Sequence, residues 1–165
     1  MNQVLAITEL QLPVSSQGVF VATGASLDAY AALSKIIGEA SASILIVDPY
    51  MDFAAVTEVA ELAPNGVMVH LLSDAGTVKP TLKPAAEKWV EQYGAARPLE
   101  VRLTEARLLH DRLIITDAQV AWILTQSLKD FAKRSPATIQ KADKDLAIMK
   151  VKAFDTIWNG AALLV

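Results

Sequence analysis

The chain has 165 residues, of which 53% are hydrophobic and 20% are charged. This length is typical of one domain, and the apolar content exceeds the globular average of about 45–50%, which excludes intrinsic disorder. The sequence contains no cysteine, so disulfide frameworks, thiolate zinc sites and cysteine nucleophiles are excluded as well.

The formal net charge is −3, which argues against a generally basic nucleic-acid-binding protein. The charge is distributed unevenly: residues 1–100 hold 5 basic and 11 acidic side chains, whereas residues 101–165 hold 10 basic and 7 acidic ones. The N-terminus lacks the basic start and apolar core of a signal peptide, and no uncharged stretch is apolar enough to span a bilayer. We therefore predict a soluble, cytoplasmic protein without a membrane partner, its positive charge concentrated after residue 100.

Strand-like and helix-like patterns alternate along the first hundred residues. Short apolar runs predict strands at 18–23, 43–47, 67–72 and 99–103, and apolar residues at helical spacing predict helices at 27–37, 53–62 and 84–93. This β-α order favours parallel strands with helices packed against the sheet.

The alternation of strands and helices ends after the fourth predicted strand. Further strands are predicted at 112–116, 119–124 and 137–140, followed by an amphipathic helix over 146–157. The first two of these strands are separated by Asp117-Ala118, close enough for a hairpin, and a polar loop at 125–136 follows. The pattern predicts a single α/β domain with a mixed, mostly parallel sheet and helices on both faces, preceded by an N-terminal extension at residues 1–17.

The most informative stretch is HDRLIITDAQVAWILTQSLKD, residues 110–130. His110 and Arg112 are two residues apart on an extended segment, and alternation places them on the same side. An imidazole and a fixed cation so placed can converge on one phosphate. From the spacing alone, a lone histidine beside ordinary surface charges is the commoner explanation.

This run resembles the H-x-K-x4-D motif of the phospholipase D superfamily, with His110, Arg112 and Asp117 at its three defining positions. The family's G-S-x-N-like segment follows, and Thr125 and Ser127 fall where its Ser and Asn stand. The resemblance covers Gly18 to Trp158, and HDRLIITD followed by SLKD is similar to divergent single-motif members from bacteria and prophages. It implies a phospholipase D-like domain.

The resemblance also implies a metal-independent phosphodiesterase without a cofactor. In the family a neutral histidine attacks phosphorus to form a phosphohistidine, a second histidine protonates the leaving oxygen, and water completes a second displacement. Each site needs two motifs and this chain has one, so an active form would be a homodimer with the two His110 side chains facing across a two-fold axis. The implied catalytic residues are His110, Arg112, Asp117 and Ser127.

The departures from the family motif leave the function open. Arg112 replaces the family lysine, keeping a permanent charge in a planar fork, and Leu124 stands where a glycine normally allows close approach. The family's later acid, which orients the nucleophilic histidine, has no clear counterpart, since Asp143 and Asp145 fit only if the register shifts. The sequence therefore predicts either a divergent nuclease-type phosphodiesterase or a catalytically silent module that binds nucleic acid or a protein partner. An interaction domain unrelated to phosphate is a third alternative.

Basic side chains follow the motif in the polar loop, where Lys129, Lys133 and Arg134 lie near Phe131. Such a cluster is usually only solvated charge, but beside the His110 site it would suit DNA or RNA. The residues predicted to bind phosphate or nucleic acid are Arg112, Thr125, Gln126, Lys129, Lys133 and Arg134.

Other candidates are weaker. Asp48 and Asp52 lie just past a predicted strand end, where α/β sheets place their sites, so a magnesium or phosphate role is conceivable. A turn before Pro49 is the simpler interpretation of Asp48, and His70 fits a packed histidine. There is no G-x-S-x-G elbow and no glycine-rich phosphate loop, and we predict no metal site.

Overall fold

The computed structural model describes residues 17–165, so the predicted N-terminal extension lies outside the described residues except for Gln17. The strands are β1 (Gly18–Val21), β2 (Ser43–Val47), β3 (Met68–Asp74), β4 (Leu99–Thr104), β5 (Leu113–Thr116), β6 (Val120–Leu124), β7 (Ala137–Lys141) and β8 (Ala162–Leu163). The α-helices are α1 (Ser26–Gly38), α2 (Leu82–Tyr93) and α3 (Lys144–Gly160).

Within the described residues, eight strands form one sheet in the order β1-β7-β6-β5-β2-β3-β4-β8. The predicted α/β fold with a mixed sheet is confirmed, but the expectation that most strands are parallel is wrong. Only β2–β3 and β3–β4 pair in parallel; the other five pairings are antiparallel. The reason is the connection between strands: β5, β6 and β7 follow one another without a crossover helix, and such connections reverse the chain direction.

Apolar layers cover both faces of the sheet, as predicted. α1, α2 and the segment 55–62 pack on one face against residues such as Ile114, while α3 packs on the other against residues such as Ile115. Successive strand residues point to opposite faces, so β5 is buried on both sides and all four of its residues are buried. No helix in residues 17–165 combines the length and the apolar character needed to cross a bilayer.

Two elements differ from the sequence expectation. The segment predicted as a helix at 53–62 consists of a π-helical turn (Ala55–Val59) and a 3-10 turn (Ala60–Leu62). It is confined between a turn at Asp52, whose side chain accepts the Ala54 N–H at 2.9 Å, and Pro64, which cannot continue a helix. Strand β8 was not predicted, because two exposed residues carry no periodic signal.

The strand directions gather several chain segments at one end of the sheet, which we call the site end. The parallel strands β2, β3 and β4 finish there, and antiparallel β5 begins there because Val47 pairs with Leu113. β6 finishes and β7 begins at the same end, since Leu124 pairs with Ile139. The residues that follow β2 and precede β5 therefore become neighbours.

Candidate functional site

A cleft of about 430 Å³ opens at the site end of the sheet. Its lining residues come from the turn after β2, the segment after β3, the approach to β5 and the loop between β6 and β7: Tyr50, Lys79, Arg112, Thr125, Gln126, Ser127, Lys129, Asp130, Arg134 and Ser135. Four of these side chains are cations and one is a carboxylate. We call this feature the cationic cleft.

The carboxylate of Asp48 lies buried beside the cleft, with 1% of the residue exposed. One oxygen accepts the Tyr50 N–H at 2.9 Å, and the other accepts the Ser127 hydroxyl at 2.7 Å and the Leu128 N–H at 2.8 Å. Burial raises the pKa of Asp48 above its ordinary value, although these hydrogen bonds and the nearby Arg112 charge oppose that shift. Asp48 thus forms the expected turn. It also binds the loop between β6 and β7, a contact that was not predicted from the sequence.

Arg112 brings a positive charge to the cleft from the approach to β5. Its guanidinium carbon lies 5.7 Å from the centre of the Tyr50 ring, within the range of a cation–π contact, and its charge acts on Asp48. Its backbone carbonyl accepts the Leu124 N–H at 2.9 Å. Leu124 itself is buried in the apolar layer and does not line the cleft, so it does not narrow it.

Hydrogen bonds within the loop between β6 and β7 hold the loop in shape. The Gln126 amide donates to the Ser135 hydroxyl at 2.6 Å and to the Pro136 carbonyl at 2.9 Å, and its oxygen accepts the Ala132 N–H at 2.8 Å. Thr125 uses its hydroxyl to accept the Thr138 N–H at 2.9 Å. Both residues line the cleft, and these bonds give Gln126 a structural role in the loop; its contact with phosphate stays a prediction.

The loop cations are divided between two surfaces. Lys129 and Arg134 line the cationic cleft, and Asp130 forms an ion pair with Lys129 there. Lys133 instead lines a separate apolar groove of about 390 Å³ beside α1, and Phe131 is buried at that groove. The charge of Lys133 nevertheless acts on Asp130, as that of Arg134 does, so the predicted contact of Lys133 with nucleic acid stays a prediction.

The backbone around His110 is anchored although its side chain is exposed. Leu109 is buried and donates its N–H to Asp74 at 2.9 Å, and Asp111 forms an ion pair with Lys150 of α3 at 2.7 Å. His110 does not line the cationic cleft itself; it lies two residues before Arg112, which does. Within residues 17–165 the imidazole forms no hydrogen bond and no ion pair.

Asp74, which sequence reasoning missed, organises the chain that leads to His110. Its buried carboxylate accepts N–H groups from Gly76 at 2.8 Å, Arg107 at 3.0 Å and Leu109 at 2.9 Å. Burial alone would raise the pKa of Asp74, but these backbone donors lower it below the ordinary value. The acidic residue at a strand end was the available signal, and nothing local indicated that two of its partners, Arg107 and Leu109, lie more than thirty residues away.

Asp117 lies at the opposite end of the sheet from the cleft, which corrects its predicted catalytic role. Thr116 pairs with Ile44 near the start of β2, whereas Leu113 pairs with Val47 at its end. The Asp117 carboxylate accepts N–H groups from Ser41, Ala42 and Ser43, with Ala42 closest at 2.7 Å. The motif spacing spans the whole strand, so Asp117 anchors the entry to β2 and does not share a site with Arg112.

The remaining candidates have structural roles. Asp143 accepts the Leu146 N–H at 2.8 Å and caps α3, and β7 brings it and Asp145 to the opposite end of the sheet, so neither replaces the family's orienting acid. His70 packs edge-on against Trp158 with ring centres 4.6 Å apart, and burial lowers its pKa. In the described part of the chain, no three His, Asp or Glu side chains converge in a way that could hold a metal ion.

Lys79 and Tyr50 also line the cleft and were missed. Lys79 belongs to the acidic first part of the chain, and its backbone N–H binds the Met51 carbonyl at 2.8 Å, which ties it to the turn after β2. Tyr50 follows Asp48-Pro49 and is 37% exposed. Only the pairing of β2 with β3 and β5 reveals that these residues are neighbours of Arg112.

No family model matches the sequence, and no curated protein matches it. Solved structures do match the fold. NucT from Helicobacter pylori superposes with a TM-score of 0.64 at 12% identity, covering 88% of this chain and 98% of that one. Nuc from Salmonella typhimurium, a phospholipase D family member, gives a TM-score of 0.64 at 17% identity over 88% of this chain and 97% of that one.

The chain has a phospholipase D-like fold. The resemblance inferred from His110, Arg112 and Asp117 is thus confirmed at the level of the fold. A third match within this fold is TrmBL2, described as an archaeal chromatin protein with a novel mode of DNA binding, with a TM-score of 0.57 at 15% identity over 99% of this chain and 60% of that one.

The anchoring role of Asp117 can be tested by replacing it with asparagine. Asparagine tolerates the left-handed backbone at this position, where φ is 54°, but it lacks one acceptor oxygen. We expect Asp117→Asn to lower the free energy of unfolding by about 1–3 kcal/mol at pH 7, measured by urea denaturation.

The pH dependence of that loss follows from the pKa shift. Burial alone would raise the pKa of Asp117, but the N–H groups of Ala42, Ser43 and Ser41 lower it below its ordinary value of 3.8. The stabilisation by the carboxylate is therefore complete above the unfolded-state pKa and disappears as the pH falls through the lower folded-state value. The variant and the wild type should converge in stability below that value. Unchanged stability at pH 7 together with weaker binding of phosphate ligands would contradict the anchoring role.

Proposed function

We propose that this protein binds the phosphodiester backbone of DNA or RNA in the cationic cleft and hydrolyses it as a divergent phospholipase D-like phosphodiesterase. The observation that carries the proposal is the convergence of four cations on one cleft in a protein whose net charge is −3. Clustered lysine and arginine side chains are the electrostatic footprint of a nucleic-acid site. TrmBL2, which shares the fold, is described as binding DNA.

The proposed chemistry assigns the nucleophile to His110. A neutral imidazole nitrogen attacks phosphorus and forms a phosphohistidine, while the leaving oxygen takes a proton from His110 of the partner subunit. Water then attacks phosphorus, the P–N bond breaks, and the proton lost by water returns to that second histidine. Arg112 stabilises the negative charge that accumulates on the phosphate oxygens. Ser127 holds the start of the cleft loop through Asp48, and the mechanism requires no metal.

A homodimer follows from this mechanism, because one motif supplies one histidine. Leu108 lies two residues from His110 and is 57% exposed, so a contact that brings the two His110 side chains together would also cover Leu108. The anchors at Leu109 and Asp111 hold this segment in place, so that the two His110 side chains could face each other across a two-fold axis.

A second candidate function is a catalytically silent module that binds nucleic acid without cleaving it. Two observations favour it. The imidazole of His110 lacks a carboxylate partner within residues 17–165, and Arg112 replaces the family lysine, which preserves a phosphate contact better than it preserves turnover. Both candidate functions use the same cationic cleft, and they differ in whether His110 acts as a nucleophile.

Cleavage assays with a His110→Ala variant separate the two functions. Pure protein is incubated in EDTA with labelled single-stranded DNA, double-stranded DNA, RNA and bis(p-nitrophenyl) phosphate. We expect cleavage by the wild type and none by the variant, while both bind the oligonucleotides, because the cleft cations remain in place.

Binding by the wild type without any cleavage would establish the silent module instead. Neither binding nor cleavage would contradict both functions and favour an interaction domain unrelated to phosphate. Cleavage that survives in His110→Ala would contradict the assignment of the nucleophile.

The division of the loop cations provides a matched test of the cleft. Arg134 and Lys133 are adjacent and both exposed, but only Arg134 lines the cationic cleft. We expect Arg134→Gln to weaken oligonucleotide binding and to reduce the slope of log K against log salt by about 1, whereas Lys133→Gln changes that slope little. Equal effects of the two variants, measured by fluorescence anisotropy at several salt concentrations, would show that the nucleic acid does not lie in the cleft.

The dimer is tested by light scattering after size exclusion. The wild type should give about twice the chain mass of 17.7 kDa at micromolar concentration, and Leu108→Glu should shift it to the monomer and abolish cleavage. A wild-type monomer that nevertheless cleaves phosphodiesters would contradict the two-histidine mechanism.

A further inference from the structure

The turn after β2 contains two aspartates that make the same local hydrogen bond in different surroundings. Asp48 accepts the Tyr50 N–H at 2.9 Å, and Asp52 accepts the Ala54 N–H at 2.9 Å. Asp52 is half-buried, whereas Asp48 is 1% exposed. Because Asp52 forms its turn without full burial, turn formation alone does not explain why the chain buries the Asp48 carboxylate, which is costly.

The second oxygen of Asp48 provides the explanation. It accepts the Ser127 hydroxyl at 2.7 Å and the Leu128 N–H at 2.8 Å, and these two residues begin the loop that carries Lys129 and Arg134. The Ser127 oxygen in turn accepts the Lys129 N–H at 3.3 Å. The start of the cationic loop is therefore bound to the end of β2 through one carboxylate.

The other hydrogen bonds of the loop hold different parts of it, and Phe131 and Ala132 bury its middle in the apolar core. Gln126 bonds to residues of the same loop, and the Gly24 N–H binds the Ala132 carbonyl at 2.7 Å on the side near β1. Asp48 holds the side of the loop that faces Arg112, whose charge acts on Asp48. The same carboxylate also fixes the backbone of Tyr50, whose ring contacts Arg112.

We propose that Asp48 is a positioning residue that holds the loop cations Lys129 and Arg134 opposite Arg112, so that all three engage one nucleic-acid backbone together. This role rests on the proposed binding of nucleic acid in the cationic cleft. Asp48 itself does not touch the phosphate: it acts through Ser127, Leu128 and Tyr50.

The decisive measurement is the salt dependence of binding to a fluorescein-labelled dT12 oligonucleotide, since its slope reports the number of phosphate contacts. We expect Asp48→Asn to weaken binding at least tenfold and to lower the slope by 1 to 2, because an amide has one acceptor oxygen and cannot serve the Tyr50 N–H and the Ser127 and Leu128 donors together. Asp52→Asn is the matched control, with the same chemical change in the same turn, and should bind within about twofold of the wild type.

Variants at Ser127 keep the test informative if Asp48→Asn does not fold. Ser127→Ala removes one partner of the carboxylate and should lower both affinity and slope, whereas Ser127→Thr retains the hydroxyl and should restore them. Hydrogen exchange at the Leu128 and Lys129 amides should accelerate in Asp48→Asn and in Ser127→Ala, but not in Asp52→Asn.

The outcomes separate the positioning role from the proposed function. If Asp48→Asn binds dT12 with the affinity and slope of the wild type, Asp48 has a purely structural role and nucleic-acid binding is left intact. This conclusion holds even if the variant melts at a lower temperature. If Asp48→Asn does not fold, wild-type affinity and slope in Ser127→Ala would likewise contradict the positioning role of Asp48. A wild type that does not bind dT12 would overturn nucleic-acid binding, and the positioning role with it.

Discussion

The hydrogen bond between Asp48 and Ser127 joins residues that are 79 positions apart, and it links two segments that line the cationic cleft. On one side is the end of β2, with its aromatic Tyr50; on the other is the loop after β6, with its cations. The antiparallel pairing of β5 with β2 places Arg112 next to both. Burial of a carboxylate at this junction lowers the stability of the folded state. We propose that its function is to position the loop of the cleft.

The charge of the cleft is a property of the fold rather than of the composition. The chain as a whole is negative, and Lys79 comes from its acidic first part, yet strand order brings Lys79, Arg112, Lys129 and Arg134 together. Local clusters of one sign raise the concentration of oppositely charged ligands regardless of net charge. Asp130, paired with Lys129, reduces the positive charge of the cleft, so under the proposed function a phosphate would compete with this carboxylate for Lys129.

Much of the fold could be predicted from sequence, because continuous apolar runs such as Ser43–Val47 identify buried strands and helical spacing identifies α1, α2 and α3. The motif correctly indicated a phospholipase D-like fold, and two of its predicted site residues, Arg112 and Ser127, line one cleft. Prediction from the sequence failed where the contacts join residues that are far apart in the chain. Nothing local shows that Asp117 lies a full strand away from Arg112, that Lys133 faces a different groove from Arg134, or that Lys79 joins the cleft. Strand β8 and the irregular turns at 55–62 were missed because short segments are determined by their packing neighbours.

Binding of a phosphodiester backbone in the cationic cleft would change the environment of the backbone amides that line it, and NMR detects such changes as amide chemical shifts. In a titration of ¹⁵N-labelled protein with a short oligothymidylate, we expect the largest shifts at Tyr50, Lys79, Arg112 and the segment 127–134. Saturable shifts confined to the apolar groove near Tyr30 or to the opposite end of the sheet near Asp117, with the cleft amides unmoved, would contradict binding in the cationic cleft.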